Sequence, residues 1–182
     1  MPTLRDSSLS RPMHVTYFVA ASLDGFIAGP DGRLDWLLTD DDYGFASYFG
    51  RVDALVMGRG TYDPVEGFGA WPYGETPSYV FTHRPLETDR SVEVVSGSVE
   101  AFSDRMVSEN VGELWVVGGG EVAAAFLAAG RLDAVVVSLH PVILGGGTPL
   151  FGTDAPVVPL RLDEMRAFPS GLVQLRYTVE RG

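Results

Sequence analysis

Apolar positions fall along the chain in short, nearly continuous runs rather than in long helical stripes. The runs "HVTYFVAA" (14–21), "DALVMG" (53–58), "PSYVFT" (77–82), "VEVV" (92–95), "ELWVVG" (113–118), "DAVVVSLHPVI" (133–143) and "LVQLRYTVE" (172–180) are rich in Val and aromatics and bounded by Gly, Pro or Asp. Runs of this kind predict strands. Between them, residues 41–52, 98–110 and 121–129 carry apolar positions at helical spacing behind Asp, Ser or Gly start signals, which predicts helices. Alternation of helices with strands apolar on both faces predicts an α/β fold with a mostly parallel central sheet covered on both sides. From Pro156 onward two strand-like runs follow with no helix between them, which predicts a C-terminal antiparallel hairpin. Residues 1–12, polar and carrying two prolines, read as a flexible tail before one domain over residues 13–182.

Composition narrows the chemistry. With 46% hydrophobic and 20% charged residues, the chain has the make-up of a globular domain with a real core. No apolar run approaches the roughly 20 residues that span a bilayer, and the first residues lack the apolar middle of a signal peptide, so a cytoplasmic location is expected. Zero cysteines exclude disulfides, thiol nucleophiles and cysteine-ligated metals. The net charge of −11 argues against a general affinity for nucleic acid or anionic membrane. All thirteen basic residues are arginine, so lysine Schiff-base and lysine general-base mechanisms drop out as well. The spacing of His14, His83 and His140 suggests no metal site.

Three strand ends carry groups suited to anions. Gly118, Gly120 and Ala123 satisfy G-x-G-x-x-A between a strand and a helix, as a dinucleotide fingerprint requires. The acidic residue expected about 20 positions later is missing, and at least three strands precede the motif, so a standard Rossmann domain is excluded. What survives is a choice between backbone amides bared for a phosphate and glycines that only let strand and helix pack closely. "DALVMGRGTYDPV" repeats the pattern: Gly58 ends a strand, then come Arg59, Gly60 and Thr61, with an arginine whose planar fork suits phosphate. "FTHRP" places Thr82, His83 and Arg84 at a third strand end. Ligands of open α/β sheets bind outside the carboxyl ends of the strands, so the three sites are expected along one edge.

These motifs, with "VAASLDGFIAGPDGRLDWL", "LGGGTPLF" and the closing "FPSGLVQLRYTVE", resemble in this order the dihydrofolate reductase-like superfamily, and within it the bacterial branch of the riboflavin-biosynthesis reductase, the RibD C-terminal domain. The resemblance covers nearly the whole chain from His14 and implies a dihydrofolate reductase-like three-layer fold that binds NADPH. It places Arg59 at the 2′-phosphate, with Thr82, His83 and Arg84 at the same end of the cofactor. Gly58 and Gly60 belong to the phosphate-holding "MGRGT", where Thr61 is expected to cap the helix. Gly118, Gly119, Gly120, Glu121 and Val122 match the pyrophosphate turn, while Ala20, Ile27 and Ala28 match residues near the nicotinamide. Asp24 and Gly25 are expected to form a turn held by local hydrogen bonds.

On the substrate side, Asp41 has the distance from Trp36 at which dihydrofolate reductase carries its pocket carboxylate, so it is the candidate catalytic group, although an aspartate there also suits any helix start. Asp35, Trp36, Tyr43 and Ser138 are candidate substrate residues. Phe45, Tyr48, Phe49 and Trp71 join Trp36 and Tyr43 as candidates for a flat apolar pocket, with plain core packing as the alternative for Phe45, Tyr48 and Phe49. Two departures separate the chain from the riboflavin branch: Phe26 stands where a lysine follows "SLDG", and Gly118 where a glutamate precedes the glycine pair. A reductase of the type of 5-amino-6-(5-phosphoribosylamino)uracil reductase or dihydrofolate reductase is therefore expected, its small heterocyclic or carbonyl substrate left open. A dinucleotide-binding sensor without turnover is the alternative. The resemblance also implies a homodimer, using the "DAVVVSLHPVI" strand and the C-terminal hairpin.

Overall fold

In the computed structural model, which describes residues 12–67, 69–88 and 91–181, β1 (His14–Ser22) lies inside an eight-stranded sheet. Apart from Pro12, the expected N-terminal tail lies outside the described residues. β2 (Phe26–Ala28), α1 (Phe45–Phe49), β3 (Ala54–Gly58), α2 (Arg59–Glu66), β4 (Ser78–Phe81) and β5 (Val92–Val95) follow. Then come α3 (Val99–Ser108), β6 (Glu113–Gly118), α4 (Gly120–Ala128), β7 (Ala134–His140), β8 (Thr148–Pro149), β9 (Leu160–Ala167) and β10 (Val173–Val179). The sheet runs β5-β4-β3-β6-β1-β7-β10-β9. Its first six strands are parallel and β10 and β9 are antiparallel, as the sequence predicts. β2 and β8 make a separate two-stranded ribbon, too short to show any periodicity in sequence.

The apolar runs are continuous because each strand feeds two cores. Val15, Tyr17 and Val19 of β1, Val56 of β3 and Val116 of β6 pack with Phe102 of α3 and Phe126 of α4 on one face. Leu55, Met57 and Trp115 point the other way, toward Tyr48 of α1 and Tyr62 of α2. This period-two alternation gives the expected three layers. The helix expected over residues 41–52 shrinks to five residues. Gly44 before it sits at φ 81°, and the Asp42 carboxylate accepts from the amides of Gly44 and Ala46, holding the preceding residues in a turn.

β7 lies between β1 and β10, so the "DAVVVSLHPVI" strand has no free edge to offer a second copy. The edge at this end of the sheet belongs to β9, all of whose residues are exposed. Leu160, Leu162 and Met165 share a face of the hairpin with Val179, Tyr177 and Leu175.

Where β1 and β6 begin, the Thr16 hydroxyl donates to Glu113 at 2.6 Å and the His14 ring lies 3.3 Å from the same carboxylate. The bond to Glu113 raises the pKa of His14 against the opposing effect of burial. Burial pushes Glu113 up, but bonds from His14 and Thr16 outweigh it and leave its pKa lowered. The contribution of His14 is present below its unfolded value near 6.5 and is lost as pH rises through the raised folded value. That of Glu113 is present above its unfolded value near 4.5 and is lost as pH falls through the lowered one.

Two outcomes are expected. His14→Ala lowers the urea midpoint most between about pH 4.5 and 6.5, and the difference from the parent shrinks by about pH 9; a difference flat across pH would remove the pair from the account. Phe126→Ala, at a fully buried site, costs about 3–5 kcal/mol by equilibrium denaturation.

Candidate functional site

β6 sits between β3 and β1, so the chain reverses its direction of travel across the sheet there, the usual place for a ligand crevice. A cleft of about 710 Å³ opens at this point. Three helices begin beside it: α1 starts from Gly44 with the Asp42 carboxylate accepting from its Ala46 amide, whereas α2 and α4 start from Gly58 and Gly119 with no side-chain cap. By contrast α3, which does not line the cleft, is capped by the Ser98 hydroxyl, which accepts from the Ala101 amide. The first amides of a helix lack intrahelical partners and carry the positive end of its dipole. Two uncapped helix starts on one cleft are therefore anion-seeking surfaces.

The glycines divide by purpose. A Cβ on Gly120 would meet the Pro149 carbonyl oxygen at 2.4 Å, so this glycine serves the close approach of α4 to the segment after β8. A Cβ on Gly58 would touch Val122 at 3.0 Å, again a packing demand. Gly60 meets nothing within 4 Å and simply leaves the cleft wall open. Gly118 sits at φ 145° and is joined to Gly119 by a cis peptide bond. A Cβ at either would lie 3.4 or 3.6 Å from the Thr61 hydroxyl, which ties the two glycine turns together. Thr61 differs from its expected role: it lies within the first turn of α2, where Gly58 is already the cap, so its side chain is left to face the cleft.

Ala20, Ile27, Ala28, Gly58, Arg59, Gly60, Thr61, Gly119, Gly120, Glu121 and Val122 all line the cleft. Arg59 pairs with Asp63 and donates to the Pro85 carbonyl at 3.1 Å, which joins it to the segment after β4. In that segment Thr82 is buried and its hydroxyl accepts from the Arg84 amide, while His83 and Arg84 are exposed and lie outside the cleft lining. Gly118 is buried just behind the wall. The Glu121 carboxylate lies against Gly152, where a Cβ would meet it at 2.4 Å.

The far end of the cleft is aromatic. Phe45 lies 5.3 Å from Trp115 and 5.9 Å from Phe18, and Tyr73 lies 5.4 Å from Trp115. Leu34, Leu37 and Val117 complete it. Of the aromatics expected there, only Phe45 lines the cleft. Trp36 and Tyr43 turn instead toward His140, at ring distances of 5.2 and 6.5 Å. The His140 Nδ1 accepts from the Leu38 amide, and burial lowers the pKa of the ring. Tyr43 donates to Asp40 and meets the Ser170 hydroxyl at 2.9 Å. Ser138 is buried and accepts from Gln174. Asp35 and Asp41 are exposed, Asp41 accepting from the Asp42 amide, and neither lines the cleft. The segment around Trp36 is anchored on the C-terminal strands, which carries these side chains away from the crevice.

Sequence reasoning missed Trp115, Tyr73 and the Thr148–Pro149 wall. The alternation in "ELWVVG" was the available signal for Trp115, which it sets on one face with Val117. Asp24 also does more than a local turn requires. Its carboxylate accepts from the Ser22 hydroxyl and from the amides of Leu144 and Gly145, 120 and 121 residues away, and these bonds, the Ser22 one foremost, lower its pKa.

The architecture is that of the dihydrofolate reductase-like proteins: dihydrofolate reductase from Enterococcus faecalis, solved with NADP(H) and RAB-propyl, superposes with a TM-score of 0.68 at 21% identity, covering 92% of this chain and 97% of that one. The chain belongs to the RibD C-terminal domain family, whose profile matches residues 13–174. A structure from Shewanella sp. PV-4, described as a candidate riboflavin biosynthesis protein, shares 32% identity with a TM-score of 0.84, covering 93% of this chain and all of that one. YwjB of Bacillus subtilis, itself uncharacterised, is 34% identical over 88% of this chain and 94% of its own. Dihydrofolate reductase HdrB of Haloferax volcanii is 33% identical over 66% of this chain and 62% of its own.

The division of the glycines has a direct check. Gly120→Ala forces the segment at Pro149 to move and costs about 1–3 kcal/mol, whereas Gly60→Ala, in open space within a helix, leaves stability equal or slightly higher. Equal losses in denaturant titrations of the two variants would refute it.

Proposed function

We propose that the protein is an NADPH-dependent reductase that delivers a hydride to a small heterocyclic or carbonyl substrate. The observation that carries this reading is the pair of uncapped, glycine-started helices converging on one cleft whose other end is aromatic. The cleft fits a dinucleotide in chemistry as well as room: amide donors and Arg59 for phosphates at one end, flat apolar walls at the other.

In this reading the amides of α2 and α4 hold the pyrophosphate, with Gly119 and Gly60 allowing close approach and Thr61 adding a hydroxyl between the two turns. Arg59 holds the 2′-phosphate, helped by Thr82, His83 and Arg84 on the segment it already touches. Ala20, Ile27 and Ala28 pack on the nicotinamide, the two alanines leaving room for the ring to lie flat and Ile27 giving it an apolar contact. The bound dinucleotide supplies the hydride. The chain's own part is to orient the acceptor between Phe45, Trp115 and Leu37 and to keep water from the reacting carbon. Asp41 is left out of this assignment, since it is exposed and outside the lining. Tyr73, whose pKa burial pushes up to about 12, stays protonated at the aromatic end.

The names of the relatives support the reading, the candidate riboflavin biosynthesis protein from Shewanella and the Haloferax dihydrofolate reductase among them. No helix among the described residues is long and apolar enough to cross a membrane, consistent with work in the cytoplasm. Assembly as a homodimer through the exposed apolar face and free edge of β9 belongs to the same proposal. A second reading, a dinucleotide-binding sensor, is favoured by one observation: among the described residues no Asp, Glu or His lines the aromatic end.

Titration with NADPH and NADH, followed by nicotinamide fluorescence, tests the cofactor assignment, and absence of binding by either would sink it. Arg59→Ala is expected to weaken NADPH about ten-fold or more, the loss of one charge-assisted contact, while NADH changes little. Turnover on dihydrofolate, the pyrimidine intermediate and a carbonyl panel separates reductase from sensor.

A further inference from the structure

We propose that the groove on the far side of α1 from the cleft is a second anion site, built for a phosphoryl-type oxyanion. Its floor follows from strand register. Gln174 pairs with Ser138 and Arg166, and Arg176 with Val136 and Glu164, so this row of side chains shares one sheet face across β7, β10 and β9. Ser47 of α1 and Arg51, just past its C-terminal end, form the opposite wall, and Phe18 separates the groove from the cleft by lining both.

Three arginines, Arg51, Arg166 and Arg176, line this small space together with a single carboxylate, Glu164. Elsewhere among the described residues, arginines other than Arg84 are neutralised. Arg33, Arg59, Arg105, Arg131, Arg161 and Arg181 each pair with an aspartate or glutamate. Among the described residues only Arg51, Arg84, Arg166 and Arg176 make no ion pair, and three of those four meet here. In a chain of net charge −11, gathering three guanidinium groups without pairing them leaves mutual repulsion that an anion relieves.

Ring contacts hold two of the three groups, and carboxylates reach them only beyond ion-pair distance, Asp42 acting on Arg166 and Glu113 on Arg51. The Arg166 guanidinium lies 4.6 Å over the Phe168 ring and that of Arg51 lies 5.9 Å over Tyr48. Stacking restricts the guanidinium planes while leaving their N–H edges free. The neighbouring Asp42 is already engaged by the amides of Gly44 and Ala46. Gln174 donates to Ser138 and to the Tyr43 carbonyl, so it fixes the floor rather than competing for the ligand. The cavity measures about 100 Å³, against roughly 30 Å³ for a water in the liquid. That is room for a group of a few heavy atoms and not for a nucleotide. Arginine forks select tetrahedral oxyanions and carboxylates, and three of them favour the higher charge of phosphate.

The test uses inorganic phosphate on the full chain, by calorimetry and by thermal unfolding against sodium chloride at matched ionic strength. Saturable binding is expected, weakened about ten-fold or more in Arg176→Gln and in Arg166→Gln and retained in Arg59→Ala. Cooperative unfolding of each variant shows that it is folded, and Arg51→Gln supplies a third if one is not. Ribose 5-phosphate distinguishes the sources: equal affinity marks free phosphate as the ligand, and much tighter binding marks the phosphoryl end of a larger molecule. No saturable response above the chloride control overturns the proposal. So does a response lost in Arg59→Ala but kept in the groove variants, which would assign the phosphate to the cleft.

Discussion

Because β6 is hydrogen-bonded to β3 on one side and to β1 on the other, strands distant in sequence must end at the same edge of the sheet. Everything at the cleft depends on that insertion. It brings Gly58 and Gly119 together as the starting points of two helices and sets the β1 exit, with Ala20, opposite them. The other helix starts have side-chain acceptors for their amides, Ser98 for α3 and Asp42 for α1. Here the glycines supply no such group, so the polarity of two helices is directed at whatever occupies the crevice.

Charge is managed by the same economy. The chain is strongly acidic, its cations are all guanidinium groups, and most of those among the described residues are consumed in surface pairs that individually contribute little to stability. Positive potential survives in the two helix starts beside Arg59 and in the unpaired arginines across α1. Those regions lie on either side of one five-residue helix: its Phe45 faces the first, and its Ser47, with Arg51 just past its end, faces the second. A small movement of α1 would be felt in both.

Much of the sheet was legible in sequence because burial on two faces writes a plain signal: "HVTYFVAA", "ELWVVG" and "DAVVVSLH" are apolar at most positions on both faces, and strands form there. The glycine motifs were equally visible, though their spacing could not say which glycine serves packing and which serves a ligand. Only the approach of the Pro149 carbonyl separates Gly120 from Gly60. The substrate side was poorly legible. Trp36, Tyr43 and Asp41 lie in a loop whose path is set by contacts with His140, Ser170 and Gln174, all far along the chain, and no local pattern encodes such anchoring. Leu34 and Leu37, from the same loop, take the places by the crevice. β9 was legible only as part of a hairpin, since a strand exposed along its whole length carries no core signal.

The bonds from Asp24 to the Leu144 and Gly145 amides have a consequence for inheritance and for engineering. They make the turn after β1 and the "LGGGTP" segment one mechanical part encoded in two places. A chimera that took either stretch from a relative and kept the other would leave a carboxylate or two amides without their partners. Because these bonds are exposed and water can replace a lost partner, the coupling is graded: substitutions in one stretch change how readily those in the other are accepted.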